Sequence, residues 1–144
     1  MRDRSRGRGW ALQALYAWEA RGAKTQPVDM LDELGRERSI AEGSRAYAQE
    51  LLRQVGQHRQ TIDRLLQDSL ANWRLERLSV IDRNILRLAA AEMLYIDDVP
   101  PRVSIQEAIH LAEKYGTSES PRFVNGVLDA LMHALPKSRA EARE

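Results

Sequence analysis

From Ser79 to Ile96 the chain contains no Gly or Pro and consists almost wholly of strong helix formers. At 100° per residue, Leu78, Ile81, Ile85, Leu88 and Ala89 share one side, Leu86 and Met93 lie beside them, and Ala90 and Leu94 continue the apolar surface. Only Arg83, Asn84 and Arg87 form a polar strip. A helix apolar over most of its circumference must be buried over most of it, so this segment is predicted to be a central post with other helices around it. Ser79 with Asp82 supplies a cap, and Pro100-Pro101 ends the element. Glu92 breaks the pattern, falling about 20° from Ile81 within the apolar arc. A buried carboxylate must be paired or protonated. No second carboxylate, His or Lys lies at a spacing that would build a catalytic site with Glu92, so it is expected to accept hydrogen bonds from an Arg or a neighbouring helix end.

The same 3.6-residue period recurs along the chain. Trp10 to Ala20 places Ala11, Ala14, Leu15 and Trp18 on one face, with Arg6, Gly9, Gln13, Tyr16 and Ala20 opposite if the helix begins early enough. Gly22 closes it. Thr25 before Pro27 opens a short helix with Val28, Leu31 and Leu34 inward. Helices are then predicted from about Ile40 to Val55 and from about Thr61, with Trp73, Leu75 and Leu78 as a connection into the central post. After the proline pair, Ser104 and Glu107 match a capping box, with Val103 stapling against Ala108. That helix ends at Gly116. The last predicted helix is capped by Ser120, has Pro121 in its first turn, and turns Val124, Val127, Leu128, Leu131 and Leu135 inward, with Phe123 at the edge. No segment alternates with period two. The expected fold is all-α, a single-domain bundle of about seven helices.

At 144 residues and 43% hydrophobic content, one core is expected. The boundaries drawn are a basic arm over 1–9, a helical domain over 10–135 and a charged tail over 136–144. The formal net charge of +1 conceals an asymmetry, with Arg2, Arg4, Arg6 and Arg8 set against Asp3 alone in the first eight residues. Such an arm attracts polyanions without specifying which. No apolar run reaches membrane-spanning length and no apolar segment follows the arginines, which predicts a cytoplasmic protein without a signal peptide. The absence of Cys removes thiolate nucleophiles and thiolate metal sites.

Enzyme signatures are missing. His58, His110 and His133 lack ligand spacing, and there is no phosphate-cradling Gly-rich loop, so neither catalysis nor a metal or other cofactor is expected. Two features suit binding. The Arg arm leads into the Gln13 and Tyr16 face. Arg122-Phe123 opens the final helix, where backbone amides and the helix dipole favour phosphate, an edge aromatic can stack on a base, and Asn125 can read a base edge.

Arg6-Gly7-Arg8 through Ala14-Leu15-Tyr16-Ala17-Trp18, Ile81-Asp82-Arg83 through Ile85-Leu86-Arg87, Glu92, Val103, Glu107-Ala108-Ile109, Ala112, and Phe123-Val124-Asn125-Gly126-Val127-Leu128-Asp129 together resemble the bacterial NusB family of transcription antitermination factors. About half the residues carry the likeness, whereas Arg21 to Trp73 matches only in helix pattern and length. The resemblance implies an all-helical, non-catalytic RNA-binding protein. It would pair with the ribosomal protein NusE, hold the single-stranded boxA element of nascent RNA, chiefly from rRNA operons, and act with other Nus factors and RNA polymerase. Carried over by position, Arg4, Arg6, Arg8, Gln13, Arg122, Phe123 and Asn125 would face RNA, with Glu119 bordering them and repelling phosphate. Tyr16, Glu76 and Asp82 would face the partner protein. The resemblance also accommodates a homodimer that hides the RNA face. Pro121 departs from the polar residue usual in the family. Two alternatives are a separate module like the RNA-binding domain of rRNA cytosine methyltransferases, whose catalytic Cys has no counterpart here, and a helical adaptor whose Arg arm is incidental.

Overall fold

The computed structural model describes residues 2–142. Its order is α1 (Arg2–Ala20), α2 (Pro27–Glu37), α3 (Glu42–Asp68), a 3-10 turn (Leu75–Arg77), α4 (Val80–Tyr95), α5 (Pro101–Tyr115), α6 (Ser120–His133) and α7 (Leu135–Ala142), with no strand among the described residues. The all-α expectation holds. Helix α4 is the central post: every residue from Asn84 to Leu94 is buried, and α1, α3, α5, α6 and α7 pack against it. It starts where Ser79 Oγ accepts the Asp82 N–H at 3.1 Å. Of its polar strip Asn84 and Arg87 are buried and Arg83 is partly so, with Arg87 donating to Asp63 and Glu19 and Arg83 donating to Glu19.

The first helix begins at Arg2, so residues 2–9 are not an arm separate from the domain. Gly7 and Arg8 are buried, and the register carries Arg4 and Arg8 towards the body of the protein. Gly7 is needed for this packing, because a Cβ there would lie 2.8 Å from the Ser44 carbonyl oxygen on α3. At the other end of α1, Gly22 takes φ 85° and the Ala23 N–H reaches back to the Trp18 carbonyl at 2.9 Å, closing the helix as a left-handed glycine cap does.

The two helices expected from about Ile40 and from about Thr61 are the two halves of α3, which breaks between them at the non-helical His58 (φ −120°, ψ 22°), whose ring stacks on Tyr95 with centroids 4.0 Å apart. Two further boundaries differ from expectation. Helix α5 starts at Pro101, because proline suits a first helical turn that needs no N–H from it. Ser104 is therefore inside the helix, where its hydroxyl donates to Glu92 at 2.6 Å instead of capping. The segment after Leu135, expected as a tail over 136–144, forms α7 to Ala142, with residues 143 and 144 outside the described range. Leu135 is buried and Arg139 Nε donates to the Met93 carbonyl at 3.1 Å, which docks α7 on the end of α4.

Candidate binding surface

The arginines of α1 divide by helical register. Arg8, expected on the RNA surface, is buried: its Nε donates to Glu92 Oε2 at 2.9 Å and its Nη1 to Glu107 Oε1 at 2.7 Å. Glu92 also accepts from the Tyr47 hydroxyl and from Ser104, so the expected structural role of this carboxylate holds, and α1, α3 and α5 supply its donors. Burial and the hydrogen bond to Glu92 push the Tyr47 phenol well above its usual range. Arg8 is thus a packing residue, unavailable to phosphate. Arg4 is half committed, donating to both Asp98 oxygens (2.8 and 3.3 Å) with its guanidinium carbon 4.8 Å from the Tyr47 ring centroid. That hydrogen bond holds the Asp98 carboxyl below its ordinary value. Of the four RNA candidates on α1, Arg4, Arg6, Arg8 and Gln13, Arg6 alone is exposed.

Arg6 opens onto a groove of about 510 Å³ between α1 and α5, lined also by Gln13, His110, Lys114 and Tyr115. The Gln13 amide oxygen accepts from Arg38 Nη1 at 3.0 Å. Lys114 sits with its ammonium 5.2 Å from the Tyr115 ring centroid. The sequence pattern did not single out Lys114 or Tyr115, and it marked His110 only as lacking ligand spacing. Their signal was a polar flank of α5 that becomes a wall only once α1 lies beside it.

Gln13 and Tyr115 also line a second, more apolar groove of about 520 Å³ containing Tyr16, Leu34 and Ile81. Tyr16 is 51% exposed there, an unusual position for so large a side chain. The residue after Ile81, Asp82, lines a third groove of about 240 Å³ with Trp73, Arg77, Glu119 and Phe123. Gln13 and Tyr115 join the first two grooves into one band carrying Arg6, Gln13 and Tyr16, whereas the third groove, with Asp82 and Phe123, shares no lining residue with that band and follows it only through the sequence neighbours Ile81 and Asp82. Phe123 is half-buried and meets Trp73 edge-on, with centroids 6.4 Å apart and planes at 81°. Arg122 and Asn125 are exposed on the same helix. The expected amide-rich helix end is weaker than a free terminus: of the first-turn residues, Ser120 already donates its N–H to the Thr117 carbonyl and Pro121 has none. Ser120 Oγ accepts from the Thr117 N–H at 3.0 Å, and the capping position is Glu119.

Glu76, within the 3-10 turn, and Asp82 line different grooves. Glu76 accepts from Arg74 Nε at 2.9 Å and faces a cleft lined by Arg59, Asp63, Arg83 and Arg87. A backbone hydrogen bond of its own and the neighbouring Arg74 hold its carboxyl below the ordinary value. In the same cleft, burial works to raise the Glu19 pKa, but hydrogen bonds and charge from Arg83 and Arg87 outweigh it and leave the carboxyl lowered.

Among the described residues, no three His, Cys, Asp or Glu side chains are grouped to hold a metal, and no helix is long and apolar enough to cross a membrane. Basic, amide and aromatic side chains lining the surface grooves of an all-α domain define a helical binding module. Comparison with known proteins gives the module its family. The NusB family model matches residues 5–133. A transcription antitermination protein NusB from Myxococcus xanthus is 43% identical, covering 95% of this chain and 99% of that protein. One from Desulfosudis oleivorans is 39% identical over 145 aligned positions, covering 100% of this chain and 94% of that protein. The solved T. maritima NusB structure superposes with a TM-score of 0.85 at 37% identity, covering 96% of each chain. A chain from a complex of antitermination factors NusB and NusE with double-stranded RNA superposes with a TM-score of 0.84 at 31% identity, covering 93% of this chain and 98% of that one. The chain belongs to the NusB family.

Proposed function

We propose that the chain is a transcription antitermination factor that binds the single-stranded boxA element of nascent RNA, mainly from rRNA operons, together with NusE. In this reading it joins the other Nus factors on RNA polymerase and works in the cytoplasm, without catalysis. The observation that carries it is the band that exposes Arg6, Gln13 and Tyr16, with Phe123 in a further groove beside Asp82. The solved complex of a relative with NusE and RNA supports the same pairing of ligands.

The band suggests a division of labour. Exposed Arg6 and Arg122, with Lys114 between α1 and the start of α6, supply salt-dependent attraction to phosphate. Phe123, Asn125 and Gln13 act on unpaired bases, the usual targets in single-stranded RNA. Tyr16 and Asp82 face NusE, and Glu119 limits how closely phosphate approaches. Because the protein and RNA portions adjoin, each ligand should tighten the other by the same factor. A homodimer formed through this band would compete with RNA.

The test is binding of a boxA-like single strand against a scrambled strand, with and without NusE, over a salt series. Sequence-selective binding that NusE strengthens is the expected result. Weak binding indifferent to both sequence and NusE would leave a basic helical adaptor and overturn the reading.

A further inference from the structure

Among the described residues that line the α1–α5 groove with Arg6, His110 is the one whose side chain is of a type that changes charge near neutral pH. Its side chain is 71% exposed, so a ligand in the groove can reach it. Its Nδ1 lies 3.5 Å from Glu107 Oε2, one turn earlier on α5. Glu107 is held in place, because its other oxygen accepts from Arg8 Nη1 at 2.7 Å and from the Ser5 hydroxyl. The remaining charged groups in the lining are Arg6 and Arg8 from α1 and Lys114 from α5. Arg8 is paired with Glu92 and Glu107, which leaves Arg6 and Lys114 as the standing positive charges. Glu113, also on α5, is exposed outside the lining.

We propose that His110 is a proton-dependent RNA contact: as imidazolium it donates to a backbone phosphate in the groove, so RNA binding tightens as pH falls. The inference rests on the RNA reading above and adds regulation to the same groove. With Nδ1–H turned to Glu107, the other ring nitrogen, Nε2, presents a lone pair in the neutral ring and an N–H in the charged one. A lone pair repels a phosphate oxygen, whereas a charged N–H donates to it. Attraction to Glu107 and repulsion from Arg6 and Lys114 act on the charged ring in opposite senses. A phosphate beside the two cations offsets their repulsion, so proton and RNA each favour the other's binding. Lys114, four positions on along α5, supplies a charge that does not vary over this range, which makes His110 the adjustable member of the wall.

Binding of boxA-like RNA to the full chain at fixed ionic strength, from about pH 8 to about pH 6, tests the assignment using wild type, His110→Gln and His110→Lys. The wild type should tighten by about twofold to fivefold over that range, the size of an exposed charge contact. His110→Gln should keep the wild type's pH 8 affinity throughout, and His110→Lys should keep its pH 6 affinity throughout. His58, His133 and the RNA are common to all three titrations, so their own protonation cancels in the comparison. Parallel pH profiles for wild type and His110→Gln would overturn the contact and leave the RNA reading standing. His110→Lys binding no tighter than His110→Gln at pH 8 would overturn it as well, because a fixed charge at this position would then not reach phosphate. If the wild type binds boxA-like RNA at no pH, both readings fall together.

Discussion

Arg8 and Glu92 are 84 positions apart in sequence, and a hydrogen bond of 2.9 Å joins them in the core, where each side chain is less than a tenth exposed. With Glu107, Ser104 and Tyr47 the pair ties α1 to α3, α4 and α5. Arg8→Ala leaves the Glu92 carboxylate without its charged partner, which typically costs 3–5 kcal/mol. Chemical denaturation should therefore show a large loss of stability for Arg8→Ala. Unchanged stability with selective loss of RNA binding would restore Arg8 to the binding surface.

Arg6, two residues earlier, should behave in the opposite way. Its side chain is exposed at the mouth of the α1–α5 groove, so Arg6→Ala should leave the melting temperature nearly unchanged. It should lower affinity for boxA-like and scrambled RNA roughly alike and reduce the salt slope by about one, as loss of a phosphate contact does. An effect confined to one base position would contradict that role.

The contrast between these two arginines marks what the sequence could convey. Helix period and apolar spacing made α4 legible, and even the anomaly of Glu92, because both are local properties. The partners of Arg8 and Arg4 are acids 84 and 94 residues away, and no local pattern announces them, so a dense Arg cluster resembled a free arm. Ser104 and Glu107 misled for a related reason. Their spacing is that of a capping box, but the preceding proline moves the helix start to Pro101 and frees both side chains for Glu92 and Arg8. Of the binding surface, Phe123 was readable as an edge residue and Gln13 as part of the face opposite the core. Trp73 was read as a connection, because its exposure depends on how the loop before α4 is clamped by Gln67.

Gly7 and Gly9 should respond oppositely to alanine. Within a helix the change gains about 1 kcal/mol of intrinsic propensity. At Gly7 the added Cβ would lie 2.8 Å from the Ser44 carbonyl oxygen, and overpacking of about 1–3 kcal/mol should outweigh that gain. At Gly9 nothing lies within 4 Å, so Gly9→Ala should stabilise the fold. Urea midpoints of the two variants decide the matter, and a stabilised Gly7→Ala would mean α1 and α3 can separate without loss.

Phe123→Ala tests the aromatic component of the RNA surface. Removing one base-stacking side chain typically costs about 1–3 kcal/mol of binding. Since Phe123 is only half-buried and its neighbour Trp73 is exposed, the melting temperature should fall little. Fluorescence anisotropy with labelled RNA, read beside a thermal melt, separates the two roles. A steep drop in stability would make Phe123 a core residue first.

The Glu19 network should give the fold a particular acid sensitivity. Burial alone would raise the Glu19 pKa, but Arg83 and Arg87 reverse the effect, so the folded carboxyl titrates below its unfolded value. Near the ordinary Glu range, about pH 4.3, the unfolded chain therefore binds more protons at this position than the native one. The stabilisation is complete above that range and is lost as pH falls through it towards the lower folded pKa. Melting temperatures measured from pH 7 to pH 3 should then converge for wild type and Glu19→Gln, with the wild type more stable at neutral pH and losing its advantage below about pH 4. Curves that stay parallel over the whole range would show that Glu19 contributes packing and hydrogen bonds but no charge-linked stability.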